Sequence, residues 1–170
     1  MRTLETAPFA TALVAAFLAL PLATTAQPRA PVAETVLLLS GRLGPHSAAG
    51  LRLDLSTLQK LPQRSFTTAA PWTAAPQKYT GPLLRDVLVV AQASGSVIEA
   101  MAMNDDVVNI PVADAQKHDV IIAHQVNDKP LGVRELGPLM IMYPFDSSPE
   151  LQTTEYYRRS VWQLRSVRVD

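Results

Sequence analysis

Asn104, Asp105 and Asp106 set three polar side chains in a row after an apolar stretch. They can take a small cation or a ligand amine, or simply make the turn that Asn and Asp favour; calcium asks for more regularly spaced oxygens than this run supplies. His118 and His124 flank a second apolar stretch and can offer zinc two same-face imidazoles beside Asp114 or Asp119, although their spacing matches no zinc pattern. Arg134, Arg158 and Arg159 carry guanidinium forks suited to phosphate, or balance Glu135 and Glu155 on the surface. Tyr156 and Tyr157 beside them suit a pocket or an interface. Trp72, between Pro71 and Thr73, can stack on a flat heterocycle or close the core as a lid whose indole N–H finds one partner, and Trp162 reads as core. Thr67 and Thr68 end a β-rich segment, where they form a polar lip for a ligand oxygen or serve strand propensity alone. The chain has no nucleophile-elbow, dinucleotide-binding or P-loop motif, so hydrolase and nucleotide chemistry lack support.

The sequence contains no cysteine. That removes disulfides, iron–sulfur clusters, thiolate metal sites and thiol nucleophiles together. Fifteen Lys and Arg balance fifteen Asp and Glu, so no basic field draws nucleic acid or an anionic membrane. Arg2, the apolar run 9–20, Pro21 and the small residues ending in Thr24-Thr25-Ala26 follow the three-region order of a cleavable secretory signal. A spanning helix needs about 20 apolar residues, and this run falls well short. The expected organisation is a signal over 1–26, a loose leader over 27–35 and one domain over 36–170, periplasmic or secreted, with no membrane span after cleavage. Its expected partner is a small-molecule ligand or another exported protein.

The elements that must position these side chains are short. Val36-Leu37-Leu38-Leu39, closed by Ser40-Gly41, predicts a buried strand, and Leu51 and Leu53 a second. Ser56 is a suitable N-cap for a helix over 57–61 that Pro62 ends. Residues 64–68 predict a strand and 69–76 a loop. Pro82 suits the first turn of a helix carrying Leu83, Leu84, Val87, Leu88 and Ala91 on one face, stopped by Ser94-Gly95. A hairpin over 97–110 turns at 104–106, and 112–117 predicts a short helix. Strands follow over 120–123 and 139–143, with a turn at Asn127-Asp128 between them. A helix lies around 153–158, and a last strand over 161–169 changes its apolar phase between Leu164 and Val167, as a bulge would. Strands in adjacent pairs with scattered helices predict an α+β domain with a mixed, mainly antiparallel sheet and a few short helices.

Leu61-Pro62-Gln63, Phe66-Thr67-Thr68, Pro71-Trp72-Thr73, the run from Tyr79-Thr80-Gly81-Pro82 to Val87-Leu88, Met103-Asn104-Asp105, and the run from Gly137-Pro138 to Tyr143-Pro144 occur in an order that resembles the oxidoreductase molybdopterin-binding domain. The resemblance is to the small, stand-alone exported versions of this sulfite-oxidase-like fold and covers roughly 36–169. It implies the α+β fold above and, in the family's full enzymes, a molybdenum cofactor whose metal is ligated by one cysteine thiolate. That thiolate would come from near Thr68 or Ala69. A hydroxyl is a harder and far less acidic ligand, so Thr68 does not replace it. The residues expected to line a retained site are Thr67, Thr68, Trp72, Asn104, Asp105 and Arg134. The cofactor stays unassigned, molybdopterin being the one the resemblance implies, and no catalytic residue or metal ligand is assigned. The expected function is a ligand-binding or accessory, sensory module without molybdenum–thiolate catalysis. The alternative is a molybdopterin-dependent oxidoreductase that holds its cofactor without a cysteine.

Overall fold

The computed structural model describes residues 34–47 and 49–170. The signal expected over 1–26, and the leader up to residue 33, lie outside the described residues. The chain runs β1 (Thr35–Gly41), β2 (Leu51–Asp54), α1 (Leu55–Lys60), β3 (Gln63–Thr68), β4 (Gln77–Pro82), α2 (Leu84–Val90), β5 (Val97–Ala102) and β6 (Val107–Pro111). It continues with α3 (Val112–Lys117), β7 (Ile121–Ala123), β8 (Gln125–Val126), β9 (Lys129–Pro130), β10 (Met140–Met142), α4 (Thr154–Arg158) and β11 (Leu164–Val169). The architecture is α+β with mixed, mostly antiparallel sheets and a few short helices, as the sequence predicts.

A five-stranded sheet has the order β2-β1-β11-β5-β6. Only β1 and β11 in it pair in parallel, with Leu39 opposite Val167. Alternation sends Leu37 and Leu39 of β1, Leu53 of β2, Ile98 and Ala100 of β5 and Ile110 of β6 into one core. Gly41 closes β1 at φ +88°, and a Cβ there would stand 2.1 Å from the Val169 carbonyl oxygen, so only glycine lets β1 lie this close to β11. The register of β11 against β5 shifts between Leu164 and Ser166. This is the bulge that the phase change predicts.

The second region combines the sheet β3-β4-β8-β9 with the pair β10-β7. Every residue of β7 and β10 is buried, which is why their sequences are unbroken apolar runs rather than alternating ones. Two expectations fail nearby. Residues 77–82 form strand β4 instead of leading into a helix, and α2 starts only at Leu84 and stops at Val90. Gly81 explains the strand: a Cβ there would sit 2.0 Å from the Ile122 carbonyl oxygen, so β4 passes against β7 where no side chain fits. The first helix is capped by Asp54, whose Oδ1 accepts from the Thr57 amide at 2.6 Å, and not by Ser56. The helix starts two residues earlier than a Ser56 cap would set it, and the Asp54 carboxylate meets the free N–H groups of that first turn.

Candidate functional site

The end of β3 is a closed corner. Thr68 is fully buried. Its Oγ1 accepts from the Asp146 amide at 3.0 Å and donates to the Ala69 carbonyl at 3.3 Å, while the Ala69 amide donates to Asp146 Oδ2 at 2.8 Å. These bonds staple β3 to the 3-10 turn Phe145–Ser147. Thr67, the next residue outward on a period-two strand, is exposed. The position where the family resemblance expects a metal ligand therefore offers a hydroxyl already committed on both sides and an alanine. These residues do not fit a thiolate-ligated molybdenum.

Four residues further on, Trp72 opens a different environment. Its ring meets Phe145 (6.0 Å between centroids), Tyr157 (6.3 Å) and Trp162 (5.3 Å), all edge to face. Trp72, Tyr157 and Trp162 wall a cleft of about 420 Å³, within the usual range for small-molecule sites. Val108, Val161 and Ala102 continue the apolar lining, and Asn104, Asp106, Arg158 and Ser160 supply its polar groups. Trp162 is 38% exposed; its placement on the cleft corrects the expectation that it is core, because it precedes β11 instead of lying in it. Two side-chain atoms of the lining residues are buried without a partner, the Trp72 indole Nε1 and the Ser160 hydroxyl. Buried polar atoms normally find partners, and those that do not call for an explanation.

Helix α4 separates this cleft from a satisfied polar cluster. Arg159, just past its end, donates from Nη1 to Asp114 Oδ2 at 2.8 Å and also pairs with Glu155. Tyr143, fully buried, donates its hydroxyl to the same Asp114 oxygen at 2.9 Å. Burial first, and the Asp114 carboxylate second, push the Tyr143 phenol far up, so it stays a protonated donor. The Arg159 guanidinium also lies 5.1 Å from the centre of the Tyr156 ring. Helical rotation thus turns Tyr156 and Arg159 toward Asp114, and Tyr157, Arg158 and Ser160 toward the cleft.

The fold is similar to that of the sulfane dehydrogenase SoxCD from Paracoccus pantotrophus. The two share 18% identity at a TM-score of 0.60 over 78% of this chain, which spans 37% of that neighbour. At this identity the likeness is one of fold. It agrees with the α+β, sulfite-oxidase-like architecture that the sequence resemblance implies. No family model matches the chain, and no curated protein matches it.

Of the residues expected to line a site, the structure brings Trp72 and Asn104 to the cleft and leaves the others apart from it. Asp105 has φ 68° and forms an ion pair with Arg165 at 2.7 Å, while its neighbours Asn104 and Asp106 face the cleft, with Asn104 Nδ2 donating to Asp106 Oδ2 at 2.6 Å. Arg134 is exposed on the 3-10 turn Val133–Glu135. The two histidines lie in unlike settings. His124 is buried with Nε2 2.8 Å from Gln63 Oε1, and burial lowers its pKa. His118 packs edge to face on Tyr156. Among the described residues no group of three or more His, Asp or Glu is placed to hold a metal. Sequence reasoning singled out Asp106 with Asn104 but missed Thr154, Ser160, Val161 and Gln163 as lining residues; the one available signal was their crowding around Trp162.

Proposed function

We propose that this chain is a small-molecule-binding module built on a sulfite-oxidase-like fold, working after export without molybdenum–thiolate catalysis. The observation that carries the reading is the contrast between the closed Thr68 corner and the aromatic cleft of about 420 Å³ beside it, with the exposed Arg158 at its rim. Pockets that hold small molecules combine an apolar lining with a few polar anchors in this way. Among the described residues no helix is long and apolar enough to cross a membrane.

Metal and pterin analysis of protein made in a molybdenum-replete exporting host tests the reading. The expected result is neither component in stoichiometric amount, and molybdenum together with pterin at one per chain would overturn it. Mass spectrometry of the exported protein is expected to find a chain beginning at Gln27. The second reading, a molybdopterin-dependent oxidoreductase without a cysteine ligand, draws on the fold likeness to a sulfane dehydrogenase. It predicts a visible absorption band in purified protein, where the first predicts a colourless one.

A further inference from the structure

The cleft's charge pattern restricts what it can hold, given the reading that it is the binding site. Among its lining residues Arg158 is the one cation and Asp106 the one anion. Asp106 is already engaged by Asn104. Arg158 is exposed and makes no ion pair or side-chain hydrogen bond with the described residues. Its neighbour Arg159, by contrast, is held by Asp114 and Glu155. A guanidinium left open at the rim of an apolar cleft suits one carboxylate, which it binds through two parallel N–H donors. A dianion fits worse, because its second charge would meet Asp106 with no second cation in the lining to offset it.

The walls define the rest of the ligand. Trp72 and Trp162 meet edge to face with an interplanar angle of 64°, and Tyr157 stands against Trp72 at 88°. Rings crossed in this way present both faces and edges, the two surfaces against which a flat aromatic body gains beyond its buried area. The volume of about 420 Å³ accommodates a fused-ring body with room to spare.

We propose that the cleft binds a planar, fused-ring aromatic monocarboxylate, its rings between Trp72, Tyr157 and Trp162 and its carboxylate on Arg158.

Isothermal titration of the full exported chain with 1-naphthoate, 1-naphthamide and 1-naphthyl phosphate tests the class. The expected order places 1-naphthoate about tenfold tighter than either of the others, the size of one charge-assisted hydrogen-bonded contact. Arg158→Gln should erase that preference by weakening 1-naphthoate to the level of 1-naphthamide, without unfolding the protein, since Arg158 is exposed and makes no ion pair or side-chain hydrogen bond with the described residues. Equal binding of 1-naphthoate and 1-naphthamide overturns the carboxylate assignment while leaving the cleft as a binding site. Tightest binding by 1-naphthyl phosphate overturns the argument against dianions. Binding of 1-naphthoate that survives both Arg158→Gln and Trp72→Ala, with both variants folded by circular dichroism, places the ligand elsewhere and overturns the proposal. Absence of binding by all three probes to a protein free of molybdenum and pterin also overturns it, and leaves the non-molybdenum reading standing.

Discussion

On one side of α4, Arg159 and Tyr143 both donate to a single buried carboxylate, Asp114, and each charge or dipole has its complement. On the other side, one residue along, the Ser160 hydroxyl and the Trp72 indole N–H are just as buried and have none. Both sides are built from the same aromatic cluster, with Tyr156 facing one and Tyr157 the other. The satisfied side therefore stabilises the fold, while the unsatisfied side lowers its stability unless something else completes it. A third such atom, His118 Nε2, lies against Tyr156 on the other side, so what sets the cleft apart is its open, aromatic-walled volume.

The largest test removes the satisfied cluster's anchor. Asp114→Ala leaves the Tyr143 hydroxyl without its acceptor and Arg159 with Glu155 alone, and is expected to cost about 3 kcal/mol in urea unfolding; a loss under about 1 kcal/mol would mean that the cluster is solvated. Thr68→Val keeps the shape and removes the acceptor for the Asp146 amide. A loss of about 1–3 kcal/mol is expected in the same assay, with no effect on binding in the cleft. Ser160→Ala should do the reverse of Asp114→Ala. Deleting a hydroxyl that has no partner is expected to stabilise the free protein by about 1 kcal/mol, and destabilisation of that size would show the hydroxyl to be satisfied after all.

The smallest effect is one of pH. Burial keeps His124 neutral below its ordinary value, near 6.5 for an imidazole. On acidification the unfolded chain therefore takes up this proton before the folded one. Stability contributed at this site is complete at neutral pH and falls as pH drops below about 6.5 toward the lower folded value. His124→Gln should flatten that part of the stability profile measured between pH 7 and 5. An unchanged slope would assign it to other groups.

Much of the framework is legible in the residues. The apolar run at 36–39, alternation at 97–103, the Asn104–Asp106 turn and the phase change in 161–169 each report local geometry, and the structure returns each of them. Strand β4 is not legible, because Gly81 and Pro82 look like a helix leader until Ile122 is known to lie against them. Asp54 competes with Ser56 for one cap, and sequence alone ranks the two equally.

The site is harder still. Trp72 and Asn104 stand out as chemistry-bearing residues, but Arg158 and Arg159 are indistinguishable as a pair of basic residues. Only the rotation of α4 decides that one meets Asp114 and the other the open rim. Thr68 shows the opposite case. The residue most exposed to suspicion by resemblance is the one most thoroughly enclosed.

The position of β11 has a consequence for synthesis. It is the middle strand of the five-stranded sheet, between β1 and β5, yet it follows the other four strands of that sheet in chain order. Until it arrives, the hairpins β1–β2 and β5–β6 each carry an open inner edge that cannot close. The nascent chain cannot complete this sheet before residues 164–169 are made, and the pairing of β1 with β11 waits on a loop spanning nearly the whole domain. Until β11 is made, those open edges are available to a chaperone.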